Sequence, residues 1–148
     1  MEEPTPDEIL AALTGGIEVS EVSSEISQIL EKLISINESI EGAIVSSAEG
    51  LPLSWISKES EMMREEGKLA AAVTVIFSTS ERNSLDLGKG HIDHVIIKAE
   101  RGYIILGLVG EDHILALVTS TAAKLGIVLR DLRWASEKIG EIFDKYRS

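Results

Sequence analysis

Three histidines, two adjacent serines and a glycine pair are the residues of this chain best suited by type to chemistry. His91 and His94 are three positions apart in a stretch, HIDHVIIKA, that reads as a strand. Their side chains then leave on opposite faces and do not converge on one metal ion. His113 stands at the start of another strand-like run, and all three read as surface or hydrogen-bonded imidazoles. Ser46 and Ser47 have acids nearby but no identifiable base, which leaves a serine nucleophile unactivated. Gly88 and Gly90 are too close together for a phosphate cradle and do not open a helix. Neither a Walker-type loop nor a GxGxxG fingerprint occurs. There is no cysteine, which excludes disulfides and thiolate chemistry. No catalytic residue, cofactor or metal site is expected, and the chain points to interaction surfaces instead.

The bulk properties agree. The 148 residues suit one domain with a real core, and 44% apolar with 26% charged residues is ordinary for a globular protein. Formal net charge is −11. Met1 to Glu41 carries ten acids and one lysine, so most of the acidity belongs to the N-terminal part. Such a chain is poorly suited to nucleic acid or to anionic membranes, whose phosphates need clustered Lys and Arg. No apolar run is long enough to span a bilayer and no basic-then-apolar leader is visible, so a cytoplasmic protein without membrane insertion is expected.

These side chains must be positioned by a small set of elements. Residues 1–19 form an acidic arm, with Pro6 to Leu13 able to make a short helix behind Thr5 as cap. Residues 20–148 form the domain. Ser20 to Asn37 is an amphipathic helix, with Val22, Ile26, Ile29, Leu33, Ile36 and Ile40 stepping by four and three and Leu30 and Ile34 widening the stripe. Glu41 to Ile56 is a β-hairpin turning at Ala48-Glu49-Gly50. Pro52 has no amide hydrogen, which places the second strand at a sheet edge. Met62 to Ser80, with its charged flanks, reads as a helix. Leu69, Val73, Ile76 and Phe77 would face a sheet, and small residues (Ala70, Ala71, Thr74, Ser78, Ser80) would permit a second close cover, most simply another subunit. Leu87 to Gly90 is a linker. His91 to Ala99, Tyr103 to Val109 and His113 to Thr119 form an antiparallel meander. Thr119 or Ser120 opens a last helix with Val128, Leu132, Ala135, Ile139, Ile142 and Tyr146 on one stripe and Trp134 off it. The order is α-β-β-α-β-β-β-α: an α+β fold with a five-stranded antiparallel sheet and helices on its faces.

That order, with Gly42 to Ser47, Glu49 to Leu53, the small-residue helix Ala70 to Ser80, Glu100-Arg101-Gly102-Tyr103 and Ala123 to Arg130, resembles the roadblock/LC7 family, in particular its prokaryotic MglB-like members. The resemblance covers Ser20 to Arg147 and leaves the acidic arm outside. Lys124 stands where the family often has Asn before Leu-Gly. The resemblance implies a profilin-like sandwich that forms a homodimer through its second helix and third strand. Here those elements carry Ala70, Val73, Thr74, Phe77 and Ser78, and His91, Asp93, Val95 and Ile97. It also implies a non-enzymatic regulator or scaffold for a small Ras-like GTPase, the nucleotide being carried by that partner. Any stimulation of hydrolysis would come from ordering the partner's own residues, with Arg64, Arg82 and Arg101 as the arginines available for insertion. The rival is a structural adaptor indifferent to nucleotide. A small-molecule sensor is disfavoured by the aliphatic filling at Ile104, Ile105, Leu106, Leu115 and Leu117.

Overall fold

Alternating side chains and a glycine at the turn make the hairpin as expected. β1 (Ile40–Ser47) and β2 (Pro52–Ser57) pair antiparallel, with Gly50 at φ +84. In the computed structural model, which describes Pro6 and residues 19–58 and 65–147, these strands are followed by β3 (His94–Ala99), β4 (Gly102–Val109) and β5 (His113–Thr119). The five strands make one antiparallel sheet in the order β2-β1-β5-β4-β3. Three helices pack on it: α1 (Val19–Ile36), α2 (Glu66–Asp86) and α3 (Leu125–Tyr146). β2 is an edge strand, where Pro52 costs no ladder bond.

The sheet is covered on both faces because its inner strands are apolar on both. Ala43, Val45, Ile105, Val109, Leu115 and Leu117 point to one side and pack with Val22, Ile26, Leu30 and Leu33 of α1 and Val128, Leu132, Ala135 and Ile139 of α3. Ile44, Leu106, Ile114 and Ala116 point to the other side and meet Ala70, Val73 and Phe77 of α2. One face therefore carries two helices and the opposite face a single one.

Four expected boundaries shift. Leu30 is fully buried on α1, while Ile36 is 55% exposed where the chain turns at Asn37, and Ile40 belongs to β1. α2 runs on past Ser80 to Asp86, since nothing breaks it before Gly88 at φ +74; Met62 and Met63 lie outside the described residues. β3 begins at His94 rather than His91. Residues 90 and 91 are tied back to the end of α2, Ser84 Oγ donating to the Gly90 carbonyl at 2.7 Å and His91 Nδ1 lying 3.0 Å from Glu81. α3 opens at Leu125 rather than at Thr119 or Ser120. Thr119 is the last residue of β5, and its hydroxyl accepts the Tyr103 amide at 3.0 Å, so it is committed to the sheet.

The ends of α3 are tied down by polar contacts. Asp131 is buried and accepts from Asn37 Nδ2 at 2.9 Å, joining α3 to the α1–β1 turn. Lys145 Nζ donates to Glu25 at 2.9 Å, and that bond, with one from Tyr146, holds the Glu25 carboxyl below its ordinary range. α1 and α3 thus run antiparallel, with the start of α1 beside the end of α3.

Candidate interaction surface

The single helix on its face of the sheet is the natural place to look for a contact. Its inward side is fixed by packing: Ala70, Val73 and Phe77 are buried against the sheet. Thr74 is half-buried, with its hydroxyl 3.1 Å from Ser46 Oγ and donating to the Ser47 carbonyl. These four candidate interface residues are therefore engaged within the chain. Ser46 is a hydroxyl between β1 and α2, bonded to Thr74 and the Ala70 carbonyl, and no base is bonded to it among the described residues.

The outward side of α2 is different in kind. Ala71, Ala72, Ser78 and Thr79 are exposed and small, and Val75 among them is 62% exposed, with Ile76 at its flank 37% exposed. A valine standing open on a small-residue stripe is a surface that a flat neighbour can approach closely. Ser78 belongs to this stripe. Val75 and Ala72 are the residues that sequence reasoning left out, and Ile76, expected to face the sheet, lies at the flank of the outward side instead. The signal was the phase of the helix: with Ala70, Val73 and Phe77 inward, Val75 must lie opposite.

The second component is the β3 edge. The Leu108 amide donates to the Asp93 carbonyl, which sets the alternation of the β3–β4 ladder. Backbone groups of residues 94, 96 and 98 then point away from the sheet, an open edge of the kind a further strand pairs with. Val95 and Ile97 are opposite Leu106 and Ile104, so they are half-buried on the α2 side. His91 and Asp93 are exposed and lie before the strand. Two of the three arginines considered as fingers can be placed: Arg82 is exposed on α2 and Arg101 exposed in the β3–β4 turn, whereas Arg64 lies outside the described residues.

No group of metal-ligating side chains occurs among the described residues. The histidines are dispersed, and His113 is stacked on Phe143 with ring centroids 3.9 Å apart. Burial there pushes its pKa below the ordinary value. No helix among the described residues is long and apolar enough to cross a membrane.

A five-stranded antiparallel sheet with two helices on one face and one small-faced helix on the other defines a roadblock-type sandwich. The Roadblock/LC7 domain model matches residues 26–119, and the chain belongs to that family. Its members are regulators and adaptors rather than enzymes. Among solved structures, the gliding protein MglB from Thermus thermophilus is similar with a TM-score of 0.75 and 20% identity, over 84% of this chain and 92% of that one. Myxococcus xanthus MglB has a TM-score of 0.76 at 14% identity, over 83% and 90% of the two chains. A Roadblock/LC7 domain from Streptomyces avermitilis has a TM-score of 0.69 at 14% identity, over 76% and 92%. Among curated proteins none matches the sequence.

Proposed function

We propose that this chain is a homodimeric roadblock-type regulator or scaffold that binds a small Ras-like GTPase and modulates its GTP hydrolysis. The observation that carries the reading is the pairing of two unsatisfied features on one domain: the open Val75 stripe of α2 and the free backbone edge of β3. A two-fold partner covers both, with helix against helix and strand against strand, and a self-complementary contact of this kind closes at two copies. An MglB structure described as having a tetrameric arrangement is similar at a TM-score of 0.75 and 19% identity, which supports self-association within this fold. The contact is made by Ala71, Val75, Ser78 and Thr79 outside, and by the backbone of His94, Ile96 and Lys98. Ala70, Val73, Thr74, Phe77, Val95 and Ile97 support it from beneath, and His91 and Asp93 lie at its end.

The GTPase part of the reading rests on family membership. A broad two-fold platform acts by ordering a partner's own catalytic groups. The test is capture from the native lysate on the immobilised protein, once in excess GDP and once in excess non-hydrolysable GTP. Enrichment of a Ras-like GTPase in one nucleotide state is expected. Equal retention in both, or no GTPase at all, refutes the regulator and leaves a structural adaptor.

A further inference from the structure

α3 covers β4 and β5 but stops short of β3, so one strip of the two-helix face of the sheet is left open. Cross-strand pairs point to the same side. Ile96 lies opposite Ile105, and Lys98 opposite Tyr103, which puts both on the α3 side of β3. Ile96 is 39% exposed there. Between β3, the end of β4 and α3 runs an open cleft of about 380 Å³ lined by Asp93, His94, Leu129, Leu132, Arg133 and Ser136, with Asp93 at its β3 end. Bare Gly107 forms its floor; a Cβ there would come within 3.0 Å of Leu132 Cδ2. Two cations flank this apolar strip, Lys98 on β3 and Arg133 on α3, and neither forms an ion pair among the described residues. The cleft opens into a shallower one that runs along α3 past Glu137, Glu141 and Asp144 toward the helix C-terminus. That is the end beside which α1 begins, as the Lys145–Glu25 bond shows.

We infer that the strip formed by Ile96, Leu129, Leu132, Lys98 and Arg133 is the docking site of this chain's own N-terminal arm, residues 1–18. Charge complementarity argues for this occupant. The arm holds five acids and no base, and four of the five, Glu2, Glu3, Asp7 and Glu8, lie in its first eight residues. Residues 9–17 (ILAALTGGI) are uncharged and cross the acidic stretch of the cleft without repulsion. Asp7 and Glu8, just before them, arrive at the two unpaired cations. Ile9, Leu10 and Leu13 supply apolar surface for Ile96, Leu129 and Leu132. The length suffices: α3 from Tyr146 back to Arg133 spans about 20 Å, and the residues between Leu10 and α1 reach about 30 Å when extended. The site is on the face of β3, not at its edge, so a docked arm leaves the edge free for a second copy.

The chain has no native cysteine, which permits a direct test. In full-length protein, Leu10→Cys is combined with Ile96→Cys, or with Lys138→Cys as an exposed control on α3 nearer the anchor of the arm. Both are oxidised under dilute conditions and read by mass spectrometry. Docking predicts an intramolecular disulfide to position 96 forming at least tenfold faster than to 138, with the preference lost when Lys98→Glu and Arg133→Glu are added. Equal rates to both positions overturn the proposal. So does a disulfide to 96 that forms only between chains, which would assign the site to the arm of another copy. Amide exchange provides a readout without cysteines. Removal of residues 1–18 from the otherwise native chain is expected to raise exchange in β3 and the first turns of α3 severalfold, and unchanged exchange there also overturns the inference.

Discussion

Val75→Glu separates the surface of α2 from its core. Burying a whole valine side chain is worth about 1.5–3 kcal/mol. With 62% of Val75 still open to solvent in the single chain, about 1–2 kcal/mol per protomer remains to be gained in a dimer. A two-fold contact counts it twice, so its loss weakens the dimer by about 2–4 kcal/mol, or roughly 30- to 1000-fold in Kd. Two carboxylates brought face to face add to that. Thermal unfolding of the variant, followed by circular dichroism, is expected to remain cooperative because position 75 is mostly exposed and lies outside the core cluster beneath α2. Light scattering across a concentration series is expected to show the mass of a single chain where the parent shows two. Val73→Glu, two positions away, is the contrast. Val73 is 3% exposed among Ile44, Phe77, Leu106 and Ile114, so a carboxylate there unfolds the chain instead of dissociating it. If Val75→Glu keeps the parent's mass at every concentration, the outward face of α2 is not the interface, and the argument from the exposed stripe is refuted.

Other positions give sharper local expectations. Gly102→Ala places a methyl 1.9 Å from the Thr119 carbonyl oxygen at φ +140, and the strain of such a backbone alone costs about 1–3 kcal/mol, measurable as a lower urea midpoint. Asp131→Ala removes the acceptor of Asn37 Nδ2 and is expected to cost about 1–3 kcal/mol by the same measurement, with increased exchange at the α1–β1 turn. Stability is expected to fall with acid below about pH 6.5. His113 is held neutral by burial, so in this range the unfolded chain binds the proton more readily than the folded one. Asp112 and Glu49 soften this and Arg147 reinforces it, and His113→Gln is expected to flatten the slope below about pH 6.5 in denaturant titrations. Arg82→Ala and Arg101→Ala are expected to leave the hydrolysis rate of a bound GTPase unchanged, since the mechanism proposed orders the partner's own groups; a fall in rate for either would assign a finger.

The hairpin was legible because its pattern is local: alternation, Ala48-Glu49-Gly50 and Pro52 all act within a few residues. The element order and fold class followed in the same way from periodicity. The boundaries that moved were set by contacts between distant residues. Thr119 has a good capping side chain, but Tyr103 from the neighbouring strand takes its hydroxyl, and the helix waits until Leu125. His91 continues a strand-like pattern, yet Glu81 and Ser84 hold its segment at the end of α2. The orientation of α2 was the least legible feature, because the small-residue helix has apolar or small groups around most of its girth. Composition left its phase open, and only the packed sheet decided that Val73 and Phe77 face inward and Val75 faces out.

The strand order also sets a timetable for synthesis. β1 is flanked by β2, made within moments of it, and by β5, made only after α2, β3 and β4. Until Leu115 and Leu117 emerge, Ala43, Val45 and the inner side of α1 have no middle of the sheet to close upon. The first hairpin therefore waits, half-wetted, through the translation of α2, β3 and β4, and the domain becomes cooperative only when its penultimate element is delivered. A nascent chain arrested before residue 113 is expected to be a sticky client for chaperones, and one released from the tunnel past 119 a nearly finished domain.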